Sequence, residues 1–129
     1  MAYSFDPGAL MSQVYPLPDG QRVRLRIVQR RDEQQIRAIF AQVGSEPEDF
    51  EVMRLLRSDP RRRAVICATA LVGTTETVVG LGAIELGGRA DAEPDVLIAD
   101  TRVGEGLDEL LRGALRGHAS AITRARTAA

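Results

Sequence analysis

The feature that most constrains the fold is a glycine turn between a short apolar strand and an amphipathic helix. Residues 95–100 form a nearly continuous apolar run, and Gly104 and Gly106 follow it closely. After the turn, leucines recur at helical spacing, at Leu107, Leu110, Leu111 and Leu115. The change from a continuous apolar run to a period of about 3.6 residues predicts a strand and a helix joined by a tight turn.

Upstream of this unit, the sequence predicts a strand, two helices and a hairpin. Charged and apolar residues alternate over 22–28, which fits a half-buried strand whose arginines mark its solvent-facing side. Residues 32–44 have helical spacing between an acidic start and a closing glycine, and residues 45–59 predict a second helix that opens with a capping box. Residues 63–71 and 77–86 are β-prone on either side of a turn, which predicts an antiparallel hairpin.

These elements give the order β-α-α-β-β-β-α. We therefore expect an α/β (α+β) fold with a mostly antiparallel sheet of about four strands and three helices. Residues 1–17 are interpreted as an N-terminal arm, residues 18–129 as one domain, and residues 123–129 as a tail of small residues. A chain of 129 residues is long enough for one domain with its own core.

Composition and charge exclude several classes of protein. Cys67 is the single cysteine and lies in an apolar run, so it can form no intramolecular disulfide and a reducing, cytoplasmic setting is expected. The apolar stretches are shorter than the about 18 residues of a transmembrane helix, and the N-terminus has no secretory pattern. The net charge of −1 predicts no general attraction to nucleic acid.

Residues 95–111 resemble the acetyl-CoA-binding signature of the GNAT superfamily of N-acetyltransferases, in which Gln/Arg-x-x-Gly-x-Gly/Ala follows a strand. In such a turn, glycines let the backbone approach a pyrophosphate, and the amides and positive dipole end of the helix bind it. Residues 18–33 resemble the opening of bacterial protein-lysine acetyltransferase domains, and residues 79–82 resemble the VGxG of the family's third strand. The resemblance covers about residues 18–122 and implies a GNAT-like partial fold.

The resemblance implies a site for acetyl-CoA or another acyl-CoA, and a general base, without a metal. It assigns to the coenzyme the residues Val96, Leu97, Ile98, Ala99, Arg102, Val103, Gly104, Glu105, Gly106 and Leu107. The strand backbone would hold the pantetheine arm and the turn would hold the pyrophosphate. Glu93 lies where these enzymes often carry the glutamate that deprotonates the amine, although an exposed loop glutamate is the alternative interpretation.

Three departures from the family pattern weaken this expected site. Val103 and Asp108 occupy the first and last positions of the signature. Glu105, Asp108 and Glu109 crowd the helix start, and each carboxylate would repel a diphosphate roughly 5 Å away by about 1–3 kcal/mol. The chain also ends before the family's fifth strand and its later tyrosine-bearing helix, so half of the coenzyme slot and the group that protonates the thiolate are expected to be absent.

We therefore expect a degenerate acetyltransferase-like protein, a pseudoenzyme with weak or no acetyl-CoA binding that acts as a regulatory, interaction or dimerisation module. The alternative is an active acyl-CoA-dependent N-acetyltransferase for a protein lysine or small amine, with its site completed by a partner subunit. A structural unit with an unrelated ligand is the third hypothesis. The open edge of the fourth strand predicts a homo-oligomer or a partner protein; nucleic acid and membrane are not expected as partners.

Overall fold

The computed structural model describes residues 13–42, 44, 49–57, 59, 61–72, 74–86, 93–98 and 106–128. In chain order, its elements are β1 (Gln13–Pro16), β2 (Arg22–Ile27), a 3-10 turn (Arg30–Asp32), α1 (Glu33–Gln42), α2 (Asp49–Leu56), β3 (Arg63–Val72), β4 (Thr75–Glu85), β5 (Asp95–Ile98) and α3 (Leu107–Ala128). The strands form one antiparallel sheet in the order β1-β2-β3-β4-β5. The expected mixed fold with an antiparallel sheet and three helices is confirmed.

Strand β1 adds a fifth strand to the sheet. Residues 13–16 were expected in the arm, but they pair antiparallel with β2, with Tyr15 opposite Val23. The chain reverses at Gly20, whose φ of +89° is a conformation that glycine adopts without strain. The Asp19 side chain supports this turn by accepting a hydrogen bond of 2.9 Å from the Gln21 amide. The boundary between arm and domain stays a prediction, because residues 1–12 lie outside the described ranges.

Helix α3 covers one face of the sheet, and α1 and α2 cover part of the other face, mainly over β3 and β4. The first core joins β1, β2, β3 and β4 to α3, and its largest members include Leu25, Ile66, Leu111 and Leu115. The second core joins β3, β4 and Val28, the residue that follows β2, to α1 and α2, and its members include Ile36, Ile39, Val52 and Leu81. Strand β4 is buried over residues 78–84, as expected for a central strand covered on both sides.

One arginine of β2 forms a buried ion pair instead of facing solvent as expected. Arg22 and Arg24 are exposed as predicted, but the expectation is wrong for Arg26, which is only 9% exposed. Its two terminal nitrogens each lie 2.8 Å from a carboxylate oxygen of Asp32, which is 1% exposed. A bidentate partner compensates for the loss of water around a buried guanidinium. This pair fixes the start of α1 against β2.

The helix ends differ in part from those expected. Helix α1 ends at Gln42, and Gly44 has the left-handed φ of +77° that is typical beyond a helix end. The proposed capping box over residues 45–48 lies outside the described residues. Helix α3 continues to Ala128, so the expected tail is wrong; its alanines and arginines are strong helix formers. None of the helices described is both long and apolar enough to cross a membrane.

Candidate functional site

Two glycines of β4 allow α3 to lie close against the sheet. A Cβ atom on Gly80 would lie 3.0 Å from Cδ1 of Leu111, and one on Gly82 would lie 2.8 Å from Cδ1 of Leu115. Both leucines are fully buried, so a displacement of either would disturb the core under α3. The glycines that resemble the family's VGxG therefore place the first turns of α3 over β4 and next to β5.

Gly106 forms the N-terminal cap of α3. Its carbonyl accepts a hydrogen bond of 2.9 Å from the Leu110 amide, and its φ is +98°, where a side chain is strained. A Cβ atom there would also lie 3.0 Å from Cδ of Pro18. The amides of Leu107, Asp108 and Glu109 have no acceptor within the helix, because the first turn lacks preceding carbonyls. Such amides are the groups that bind anions at a helix start.

An ion pair occupies the first two turns of α3. Nε of Arg112 lies 3.1 Å from both carboxylate oxygens of Asp108, and its Nη1 donates a 2.8 Å hydrogen bond to the Pro94 carbonyl. Arg112 thus connects α3 to the start of β5. Arg112 was not among the residues predicted from the sequence, although its spacing of four from Asp108 is typical of an ion pair on a helix. Glu109 is exposed beside the pair.

Strand β5 divides its side chains between the two cores. Val96 and Ile98 pack against the core under α3, and Leu97 packs against the core under α1 and α2. All three are half-buried. Within the described ranges β5 pairs with β4 alone, with Leu97 opposite Leu81, so its other edge is the end of this sheet.

Glu93 lies on the surface against α3. Its carboxylate is 2.6 Å from Nη2 of Arg116, and the two side chains are 71% and 52% exposed. Such an exposed ion pair contributes about 0–1 kcal/mol to stability. The sequence analysis did not anticipate Arg116 as a partner, because the two residues are distant in the chain. The role of Glu93 as a general base stays a prediction.

The structure brings together part of the predicted coenzyme site. Val96, Ile98, Gly106 and Leu107 lie around the junction of β5 and α3, where a Cβ atom on Gly80 would meet both Leu107 and Ile98. Leu97 of the predicted site instead packs against the core under α1 and α2. The other five predicted residues lie outside the described ones: Ala99, Arg102, Val103, Gly104 and Glu105. Among the residues that the structure describes, no group of three or more His, Cys, Asp or Glu side chains could hold a metal ion.

Comparison with solved structures gives two informative matches. The GNAT domain of S. lividans PAT matches with a TM-score of 0.65 and 20% identity, over 92% of this chain and 74% of that one. A mutant of the cAMP-binding acyltransferase from Mycobacterium smegmatis matches with a TM-score of 0.53 and 20% identity, over 81% of this chain and 34% of that one. No family model and no curated protein matches. The chain has a GNAT-like fold, as the resemblance implied.

Proposed function

We propose that this GNAT-like fold is an acetyltransferase-like domain that binds acetyl-CoA weakly and acts as an interaction or regulatory module rather than as an enzyme. The observation that carries the proposal is the charge at the start of α3. Asp108 and Glu109 are acidic, and the nearest arginine in the helix, Arg112, is committed to Asp108 and to the Pro94 carbonyl. Among the residues that the structure describes, a diphosphate placed at this helix start would meet a carboxylate before it met an available cation.

The same charges are favourable when no anion is bound. An acidic residue in the first turn interacts with the helix dipole and stabilises the helix by about 0.3–1 kcal/mol. Arg112 reduces the repulsion that Asp108 would exert on a diphosphate, whereas the exposed Glu109 forms no ion pair with any other described residue. The charge distribution therefore suits a helix start that seldom holds an anion.

The backbone at this helix start still fits an anion. The Gly106 cap leaves three amides without helical acceptors, and glycine allows close approach of a ligand to the chain. Acyl-CoA remains the ligand class that the fold supports. The combination of a suitable backbone with opposing charge supports weak binding rather than none.

The environment of Glu93 supports the absence of catalysis. A carboxylate that accepts a proton from an ammonium group works best when burial disfavours its charged form. Glu93 instead lies on the surface in contact with a guanidinium. An active N-acetyltransferase, acting on a protein lysine or a small amine, would need another base or a rearrangement of this ion pair.

Calorimetric titration with acetyl-CoA tests the charge argument. We expect the wild-type protein to bind with a Kd of about 1 mM or weaker, and the double variant Asp108→Asn/Glu109→Gln to bind at least about tenfold more tightly, a gain of about 1.4 kcal/mol. The matched control is Glu33→Gln, which removes an acid from another i,i+4 ion pair, with Arg37 at 3.9 Å on α1. Micromolar binding by the wild-type protein, or no gain in the double variant, would contradict the proposal.

We further propose that the outer edge of β5 is the interaction surface. Strand β5 is an edge of the described sheet, and an edge strand presents unpaired backbone groups that can pair with another chain. Light scattering over a wide concentration range measures the mass of the assembly. A constant monomer mass, with no protein captured by the purified chain, would contradict this part of the proposal.

A further inference from the structure

A cleft lies between the α1–α2 layer and strands β4 and β5, at the edge of the sheet where Arg112 of α3 also lines it. Its volume is about 660 Å³, which falls within the range of about 300–1,000 Å³ that small-molecule sites occupy. Side chains from α1, α2, β3, β4, β5 and α3 contribute to its lining. Because so many elements meet there, the cleft is a product of the tertiary structure and not of one loop.

One part of the cleft is apolar. Leu81 and Ala83 of β4 are buried and belong to the core under α1 and α2. Phe40, Leu55 and Leu97 are partly buried around them and pack against the same core. Partly buried apolar side chains around a cavity of this size can pack against an aromatic ring or a branched aliphatic chain.

The other part of the cleft is basic. Three arginines line it, Arg54, Arg63 and Arg112, against one acid, Asp95. Arg112 is held by Asp108 and by the Pro94 carbonyl, whereas Glu85, the partner of Arg63, is mostly exposed and does not line the cleft. Exposed ion pairs of this kind are weak. The charge inside the cleft therefore complements an anion.

Arg63 provides a second, independent indication of a ligand. Its Nε is buried and makes no hydrogen bond in the part of the chain that the structure describes. The carboxylate of Glu85 is 3.4 Å away, without hydrogen-bond geometry. A buried donor without an acceptor is unfavourable, so a small rotation of this guanidinium towards a carboxylate in the cleft would be stabilising.

We propose that this cleft binds a small carboxylic acid, with its apolar body against Leu81 and its carboxylate paired with Arg54 and Arg63. A carboxylate fits better than a phosphate, because most of the lining is apolar and Asp95 would repel a dianion more strongly than a monoanion. The cleft shares Val96 and Leu97 with the expected coenzyme site, but the carboxylic acid would bind through Arg54 and Arg63 without any coenzyme present. It assigns the module a ligand of its own.

Titration followed by amide chemical shifts tests the site on the full chain. Phenylacetate is the probe, and phenylacetamide is its neutral counterpart of the same shape. We expect phenylacetate to shift the amides of Leu81, Ala83 and Leu97, and the neutral amide to bind about tenfold more weakly, because charge-assisted hydrogen bonds are stronger than neutral ones. Equal affinity for the acid and the amide, or shifts confined to other residues, would overturn the proposal.

Substitutions identify the residues that hold the carboxylate. Arg54→Gln and Arg63→Gln are each expected to weaken phenylacetate binding about tenfold. Arg57→Gln is the matched control, because Arg57 follows α2, is exposed and does not line the cleft. The dispersion of the amide spectrum reports whether each variant folds, and Arg54→Gln keeps the test decisive if Arg63→Gln does not fold. An equal loss in Arg57→Gln, or displacement of phenylacetate by inorganic phosphate at lower concentration, would refute a carboxylate site.

Discussion

Replacement of Asp32 by asparagine should destabilise the protein by about 3 kcal/mol. Asp32 accepts two hydrogen bonds of 2.8 Å from Arg26 and one of 2.7 Å from the Gln29 amide, almost completely out of solvent. Removal of one partner of a buried ion pair costs about 3–5 kcal/mol, because the remaining charge is left without compensation. Glu76 lies 3.6 Å from Nε of Arg26 and would still compensate part of the arginine's charge in the variant. We therefore expect a loss at the lower end of this range.

Urea denaturation followed by circular dichroism measures this loss. With a slope of about 1–3 kcal/mol per molar, a destabilisation of about 3 kcal/mol lowers the midpoint by about 1–3 M urea. Glu33→Gln is the control and should change stability by less than about 1 kcal/mol, since it removes an exposed ion pair from the same helix. The double variant Arg26→Met/Asp32→Leu should recover most of the stability. A loss below about 1 kcal/mol in Asp32→Asn would refute the reasoning.

The contribution of Asp32 also has a defined pH dependence. Burial favours the protonated acid, but the hydrogen bonds from Arg26 and Gln29 outweigh it and hold the pKa of Asp32 below its usual value. A carboxyl whose folded pKa is depressed stabilises the fold above its unfolded pKa of about 3.9, and this stability is lost as pH falls through the folded pKa. The stability difference between wild type and Asp32→Asn should therefore be constant near neutral pH and shrink below about pH 4. A difference that does not change on acidification would contradict this assignment.

Three further variants or reactions test the packing. Gly82→Ala should destabilise the protein by about 1–3 kcal/mol, because the added carbon would lie 2.8 Å from the buried Leu115. Urea denaturation measures this loss, and an unchanged midpoint of unfolding would show that α3 can shift at no cost. Gly106→Ala should destabilise the protein by about 1–3 kcal/mol, because a side chain is strained at its φ of +98°. A second substitution, Pro18→Ala, should not restore the stability, since the strain is in the backbone. Full recovery would assign the loss to the contact between the new Cβ atom and Pro18 instead. Burial raises the pKa of the Cys67 thiol to about 12, so a thiol reagent at pH 8 should modify the protein only after it unfolds; rapid modification of the native protein would contradict this.

The order of the secondary structure could be predicted because it depends on local patterns. Strand β2, the hairpin of β3 and β4, and the amphipathic α3 each follow from a periodicity within a few residues. Strand β1 could not be predicted in this way, because four residues that include a proline carry little β signal of their own. Its conformation depends on hydrogen bonds to β2, a neighbour that exists only once the Pro18–Gly20 turn has formed.

For the candidate site, the sequence predicted the residue types but not their partners. The glycine cap at Gly106 and the acidic start of α3 could be predicted from the sequence, because both lie within one helical turn. The contact between Glu93 and Arg116 joins residues that are distant in the chain, so no pattern of spacing could reveal it. The arginines of the cleft are likewise collected from three separate elements.

The sequence by itself determined most of the strands and helices, with β1 and the last turns of α3 as exceptions, and it placed glycine where α3 begins. The tertiary structure decided which charges are buried. The alternating pattern of β2 predicts the same exposure to solvent for Arg22, Arg24 and Arg26. Only Arg26, however, lies beside Asp32 at the start of α1 and is buried. The physical reason is that a guanidinium can be buried only where a carboxylate pairs with it. That pairing depends on how a helix packs against a sheet.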